Sequence, residues 1–244
     1  MPATCADANA GISGDVANTT LVRRTSVGHR SAVRSNPPGY DAYRTVTSPR
    51  EVVTATVRPA AAELEALIAA ASPAAMLLTG AAAAPRDAVR GLIRLGQRQN
   101  IAVLIADDIE LAASLNADGV HIAADQRRLA EARARLGAEK TVGASCRLFR
   151  HEAMVMGEGG ADYIAFGEHW GAGGRDAEAL AETIAWWAQI FELPCVGWLG
   201  AEDGPREAQQ LVAAGADFVA LTLPAGQESG IKRLGEITAE LGRE

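Results

Sequence analysis

Three short phrases recur along the chain: Asn116-Ala-Asp-Gly-Val-His, Gly160-Ala-Asp-Tyr-Ile-Ala and Gly215-Ala-Asp-Phe-Val-Ala. Each opens on a residue suited to the left-handed end of a helix, and a short turn then feeds an apolar strand. The aspartates lie 44 and 55 residues apart, two strand-helix units each with one long loop. Around them, β-branched and apolar runs alternate with Ala/Leu/Glu/Arg stretches of helical period. Strands are predicted at Val52–Val57, Ala75–Thr79, Ile101–Ala106, Gly119–Ala123, Thr141–Ser145, Tyr163–Gly167, Cys195–Leu199 and Phe218–Thr222. Helices are predicted at Ala60–Ala71, Pro85–Gln99, Ile109–Asn116, Arg127–Leu136, Leu148–Glu158, Ala177–Phe191, Pro205–Ala214 and Ile231–Leu241. Parallel strands joined by crossover helices are buried on both faces, and eight such units close a barrel. A doubly wound sheet would need a Gly-rich turn after the first strand, and Thr56-Val-Arg-Pro-Ala is not one. The expectation is an α/β chain with a (β/α)8 TIM barrel over residues 47–244.

Residues 1–46 differ in composition. They hold few large apolar residues, many small polar ones, the Pro37-Pro38-Gly39 stop, and five Arg against three Asp. Such a segment buries too little surface to offset its ordering entropy and is expected to be disordered or loosely ordered. Leu21–Ser35 is Arg/Ser-rich and acid-free, the composition of an organelle transit peptide, but lacks a strong apolar face. No run approaches the ~18 continuous apolar residues of a membrane span, so no membrane partner is expected. Cys5, Cys146 and Cys195 fit neither a zinc motif nor a disulfide framework and point to the cytoplasm. A net charge of −7 argues against nucleic acid as partner, because duplex binding needs clustered cations. A homo-oligomer is compatible with all of this.

Barrel chemistry sits at the C-terminal strand ends. That rule selects Arg58, Thr79–Gly80, Asp107 and Asp108, His121 to Gln126, Ser145 to Arg147, Glu168 to Arg175, Gly200 to Asp203, and Thr222. Neither lysine of the chain, Lys140 or Lys232, falls there, which excludes Schiff-base aldolase chemistry. The loop Trp170-Gly-Ala-Gly-Gly-Arg175 offers backbone amides from Gly171, Gly173 and Gly174 and a guanidinium fork at Arg175, a suitable cradle for phosphate. Gly200 allows close backbone approach to the same ligand. Asp107, Asp108, Asp125 and Glu168, with His121 and His169 nearby, form a pool of metal ligands whose oxygens suit Mg²⁺ beside phosphate, while the mixed His and carboxylate set suits a transition metal. Asp108 equally suits a helix N-cap, Cys146 a small core residue, and Trp186-Trp187 packing against the barrel wall. The ligand expected is a small phosphorylated molecule.

Leu104-Ile-Ala-Asp-Asp-Ile-Glu-Leu-Ala, running into Ala117-Asp-Gly-Val-His-Ile122, resembles the strand-three to strand-four block of the thiamine phosphate synthases and related thiazole tautomerases. Thr141-Val-Gly-Ala-Ser145 with Gly160-Ala-Asp-Tyr-Ile-Ala-Phe-Gly167 resembles the next block. Pro194-Cys-Val-Gly-Trp-Leu-Gly200 with Ala214-Gly-Ala-Asp-Phe-Val-Ala220 resembles the last. The order and spacing match over about residues 75–225, and the order is more specific than any single phrase.

The resemblance implies thiamine biosynthesis by condensation of hydroxymethylpyrimidine diphosphate with a thiazole phosphate. It implies Mg²⁺ on Asp107, with Asp125 beside the position of a second ligand that here is Gln126. Ser145 and Arg175 then fall on the diphosphate and Gly200 on the thiazole phosphate, while Thr222 stays a phosphate-binding candidate by its place at the end of the eighth strand. The chain departs from the family pattern after strand two, where a cation-rich stretch has become Leu77-Leu-Thr-Gly-Ala-Ala. Ala106 replaces an Asn, Leu199-Gly200 replaces a Gly-Gly pair, and the tautomerase His after strand five is absent. The alternative implied by these losses is a catalytically inactive relative that binds a thiazole phosphate or thiamine phosphate as a sensor or partner subunit.

Overall fold

The computed structural model describes residues 19–24, 52–54, 68–69, 73–167, 176–200, 203–223 and 228–241. Its strands are β1 (Thr19–Arg24), β2 (Val52–Thr54), β3 (Ala75–Leu78), β4 (Ala102–Ala106), β5 (Gly119–Ala123), β6 (Thr141–Ser145), β7 (Tyr163–Phe166), β8 (Cys195–Leu199) and β9 (Phe218–Leu223). The helices are α1 (Arg86–Arg98), α2 (Ile109–Leu115), α3 (Gln126–Leu136), α4 (Arg150–Glu158), α5 (Ala177–Ile190), α6 (Pro205–Ala213) and α7 (Glu228–Leu241).

From β3 to β9 every neighbour pairs in parallel in chain order, and β2 joins β9 in parallel. Strand residues alternate between two cores. Val103 and Ile105, Ile164 and Phe166, and Val219 and Leu221 face the helices. Leu77, Leu104, Ala106, Ala165, Val196, Trp198 and Ala220 form a second cluster on the other face. That second cluster joins β3 to β9, the two ends of the seven-strand run, so the sheet must curl into a half-barrel. β3 lies against β1 and β2, but among the described residues no ladder joins them. The seven-strand parallel half-barrel is therefore established, while the eight-fold closure expected from the sequence is not.

The strand and helix ends differ little from those predicted. The helix expected at Ala60–Ala71 and the last residues of the first strand lie largely outside the described residues. α4 starts at Arg150 rather than Leu148, because Phe149 N–H turns back onto Cys146 O (2.8 Å) with Arg147 in the left-handed region. α7 starts three residues early, at Glu228. A further feature is the strand at Thr19–Arg24, inside the segment expected to be disordered or loosely ordered. It pairs antiparallel with β9 and β2. Low overall hydrophobicity hid a local Thr-Thr-Leu-Val run whose β-branched residues suit a strand laid on a waiting edge.

The recurring phrases acquire a physical role. Asn116, Gly160 and Gly215 all adopt positive φ (54°, 95° and 100°), as their helix-ending position requires. Each following aspartate then clamps the preceding strand twice. Asp118 N–H donates to Val103 O while its Oδ2 accepts Val103 N–H (both 2.8 Å). Asp162 does the same to Val142 (2.9 and 2.7 Å) and Asp217 to Cys195 (3.0 and 2.9 Å). These clamps sit at the N-terminal strand ends. Arg133 reinforces one of them, pairing with Asp162 at 2.5 Å and donating to Gly160 O and Lys140 O.

Candidate functional site

The opposite ends of the strands form the mouth. Strand register fixes which side chains reach it from inside: Thr79 follows Leu77 by two positions, and Ser145 pairs with inward-facing Ala165. Ser145 is 5% exposed, and its hydroxyl has no hydrogen-bond partner among the described residues; nor has that of Thr79. A buried hydroxyl left unpaired costs about 1–3 kcal/mol, and two such hydroxyls at the strand ends are available to bond a ligand atom. Deeper in, fully buried His121 meets the Tyr163 hydroxyl through Nδ1 at 2.7 Å and stacks on that ring at 5.5 Å. Gly143 makes this possible, because a Cβ there would lie 1.9 Å from Tyr163 Cζ. Trp198 packs 5.7 Å from His121 and donates Nε1–H to Thr222 Oγ1 at 3.0 Å.

The acidic candidates separate by role. Asp108 caps α2, accepting Leu111 N–H at 2.8 Å. Asp125 caps α3, accepting the amides of Arg127 (2.8 Å) and Arg128 (3.1 Å). The amides of Arg128 and Arg127 hold the Asp125 carboxyl below its usual range. Asp107 closes β4 in the left-handed region (φ 55°), with its N–H on His121 O at 2.8 Å. Its Oδ1 accepts Arg128 Nη1 at 2.7 Å and the Ala123 amide at 3.3 Å, and Arg128 Nη2 donates to its main-chain oxygen. Both partners are about a third exposed, which limits the pair to on the order of 1 kcal/mol but fixes its geometry.

The magnesium implied by the resemblance finds no complete donor set among the described residues. Among the described residues no three His, Cys, Asp or Glu side chains gather as a metal site. Asp125 is committed to a helix end and Asp107 to a guanidinium. Gly200, expected to offer its amide to phosphate, donates it to Asp203 Oδ2 at 2.7 Å, while Arg233 holds both main-chain oxygens, of Gly200 and Asp203. Cys146 is fully buried and Trp187 nearly so, as packing residues should be. Gly171, Gly173, Gly174 and Arg175 lie outside the described residues, as do Arg58, Glu168 and His169.

Sequence reasoning missed Arg128 and the Asp203–Arg233 arrangement. One signal for Arg128 was present. The first turn of α3 reads Gln-Arg-Arg with no acid in it, the wrong sign for the positive end of a helix unless an anion waits nearby.

The comparisons with known proteins agree with this geometry. The family described as thiamine monophosphate synthase matches residues 52–223, from β2 through β9. A thiamine-phosphate synthase of Erythrobacter litoralis is 42% identical over 127 residues, covering 50% of this chain and 59% of the relative. One of Rhodospirillum centenum is 41% identical over 138 residues, covering 55% and 65%. The chain thus spans about three-fifths of the length of these curated relatives. In fold, it superposes on the thiamine phosphate pyrophosphorylase of Pyrococcus furiosus with a TM-score of 0.61 at 19% identity, covering 76% of this chain and 90% of that one. No described helix is long and apolar enough to cross a membrane. A family match across 172 residues of strand ends and helix starts, on a parallel half-barrel whose mouth holds unpaired hydroxyls, settles the lineage: the chain belongs to the thiamine monophosphate synthase family.

Proposed function

We propose that this protein forms thiamine phosphate in the cytoplasm, with residues 47–244 as a closed (β/α)8 barrel whose mouth binds two small phosphorylated substrates. The carbon–oxygen bond of a hydroxymethylpyrimidine diphosphate breaks, and the pyrophosphate leaves with the electron pair. The ring nitrogen of a thiazole phosphate supplies the pair for the new carbon–nitrogen bond. The chain's task is electrostatic and positional. Ser145 donates its hydroxyl to the leaving diphosphate, Arg175 holds it with the amides of Gly171, Gly173 and Gly174, and Gly200 with Thr222 receives the thiazole phosphate. The family's magnesium finds no complete donor set among the described residues, and no step is assigned to it. The observation that carries this reading is the unpaired, buried Ser145 hydroxyl at the end of β6, inside the stretch that matches the family.

The test is direct turnover of the two substrates, read as fluorescent thiochrome after oxidation of the product. Product above the no-protein control, falling about tenfold or more in Ser145→Ala, is the expected result. A folded sample giving no product with or without Mg²⁺ would overturn it. A second reading has its own support: Asp203 already fills the Gly200 amide, as a carboxylate standing where a phosphate would sit. On that reading the chain binds a thiazole phosphate or thiamine phosphate without turning it over, and Trp198 fluorescence responds to the ligand while the thiochrome assay stays blank.

A further inference from the structure

The corner where β4 and β5 end holds a carboxylate that already has a cation. Asp107 is fixed on three sides: its N–H bonds His121 O, the Ala123 amide reaches its Oδ1, and Arg128 bonds both that Oδ1 and the main-chain oxygen. Among the described acidic groups beside it, Asp108 caps α2 and Asp125 caps α3, and Gln126 next to Asp125 is neutral. Arg127 and Arg128 sit in the first turn of α3, where the helix dipole disfavours positive charge. That placement is understandable when a negative group faces them, and Asp107 is one such group. Two of the five guanidinium donors of Arg128 go to Asp107, and its side chain is 34% exposed.

We propose that Arg128 is the resident cation of this mouth. Its guanidinium neutralises Asp107 and presents a fixed positive charge to a phosphorylated ligand, so ligand binding in this chain needs no divalent metal. Resting on the reading above only for the class of ligand, this inference makes Arg128 a specificity-determining residue that separates the chain from metal-dependent diphosphate sites. A guanidinium differs from a metal ion in kind: it gives planar, directional hydrogen bonds and cannot be removed by a chelator.

The experiment uses the full chain and two probes, Mn²⁺ followed by electron paramagnetic resonance and inorganic pyrophosphate followed by calorimetry. Wild type should bind no stoichiometric Mn²⁺, and its pyrophosphate affinity should be the same in EDTA as in Mg²⁺. Arg128→Gln should weaken pyrophosphate about tenfold or more, with Arg128→Lys in between because the charge stays and the fork is lost. Stoichiometric Mn²⁺ on wild type, lost in Asp107→Asn, would overturn the inference and leave the synthase reading intact. Arg128→Gln that melts earlier yet binds pyrophosphate as wild type does would reduce Arg128 to a structural tie and also overturn it. Pyrophosphate that fails to bind wild type under either condition would remove this inference together with the diphosphate half of the synthase reading.

Discussion

At the level of single residues, an aspartate before a strand acts as an additional rung. Asp162 serves one amide with its carboxylate and one carbonyl with its own N–H, both on Val142, and it also meets Arg133. Removing that side chain leaves the Val142 amide at the sheet end without its acceptor, a loss on the order of 1–3 kcal/mol. Asp162→Ala should lower the urea midpoint accordingly without changing its steepness. Asp162→Asn, which keeps the acceptor oxygen and gives up only the ion pair, should lose less. The same scale separates what the sequence can place from what it cannot. Ser145, Asp107 and Thr222 could be placed at the ends or just past the ends of their strands because strand ends can be located from sequence. Arg128 was missed because it meets Asp107 across 21 positions of chain, and only the neighbouring of β4 and β5 brings the two together.

At the level of elements, the strands were legible because each is a short apolar run closed by a turn signal. Gly119–Ala123, Thr141–Ser145 and Cys195–Leu199 have the bounds read from the sequence. Helix starts were less legible, since they depend on caps, and a cap competes with chemistry for the same aspartate. Asp125 illustrates the competition: its carboxylate is held by the amides of Arg128 and Arg127, and its pKa lies below the usual carboxylate value. A group whose folded pKa is depressed contributes stability above its unfolded pKa, about 3.9 for Asp, and that contribution fades as pH falls through the folded value. Asp125→Ala should therefore melt earlier than wild type at pH 7. The gap between the two melting temperatures should narrow as the pH is taken below about 4, which calorimetry across pH would show. A constant gap would mean the cap bond is not made.

At the level of the whole molecule, β9 is the seam. It receives β8 on one side, and both β2 and β1 join it, with Leu21 and Val53 each in register with Leu221. The residues before the repeating units therefore take part in the sheet, a role that average composition conceals because six residues carry it. Truncation through Arg24 should raise amide exchange in Phe218–Leu223 by about tenfold or more while Gly119–Ala123 stays protected, as hydrogen-exchange mass spectrometry resolves. Equal protection of β9 with and without the segment would show that β1 adds nothing to the seam.

The aspartate clamps have one consequence for how such a chain changes over time. They pin the sheet at the end away from the mouth, so these ties and the candidate site share no side chain. Substitutions at the exits can then accumulate with little loss of structural integrity. The exit after β3 reads Leu77-Leu78-Thr79-Gly80-Ala81 here, and Leu77 and Ala81 are packed into ordered cores. The architecture insulates heredity of shape from drift of specificity, and the exits are where a protein engineer would graft a new one.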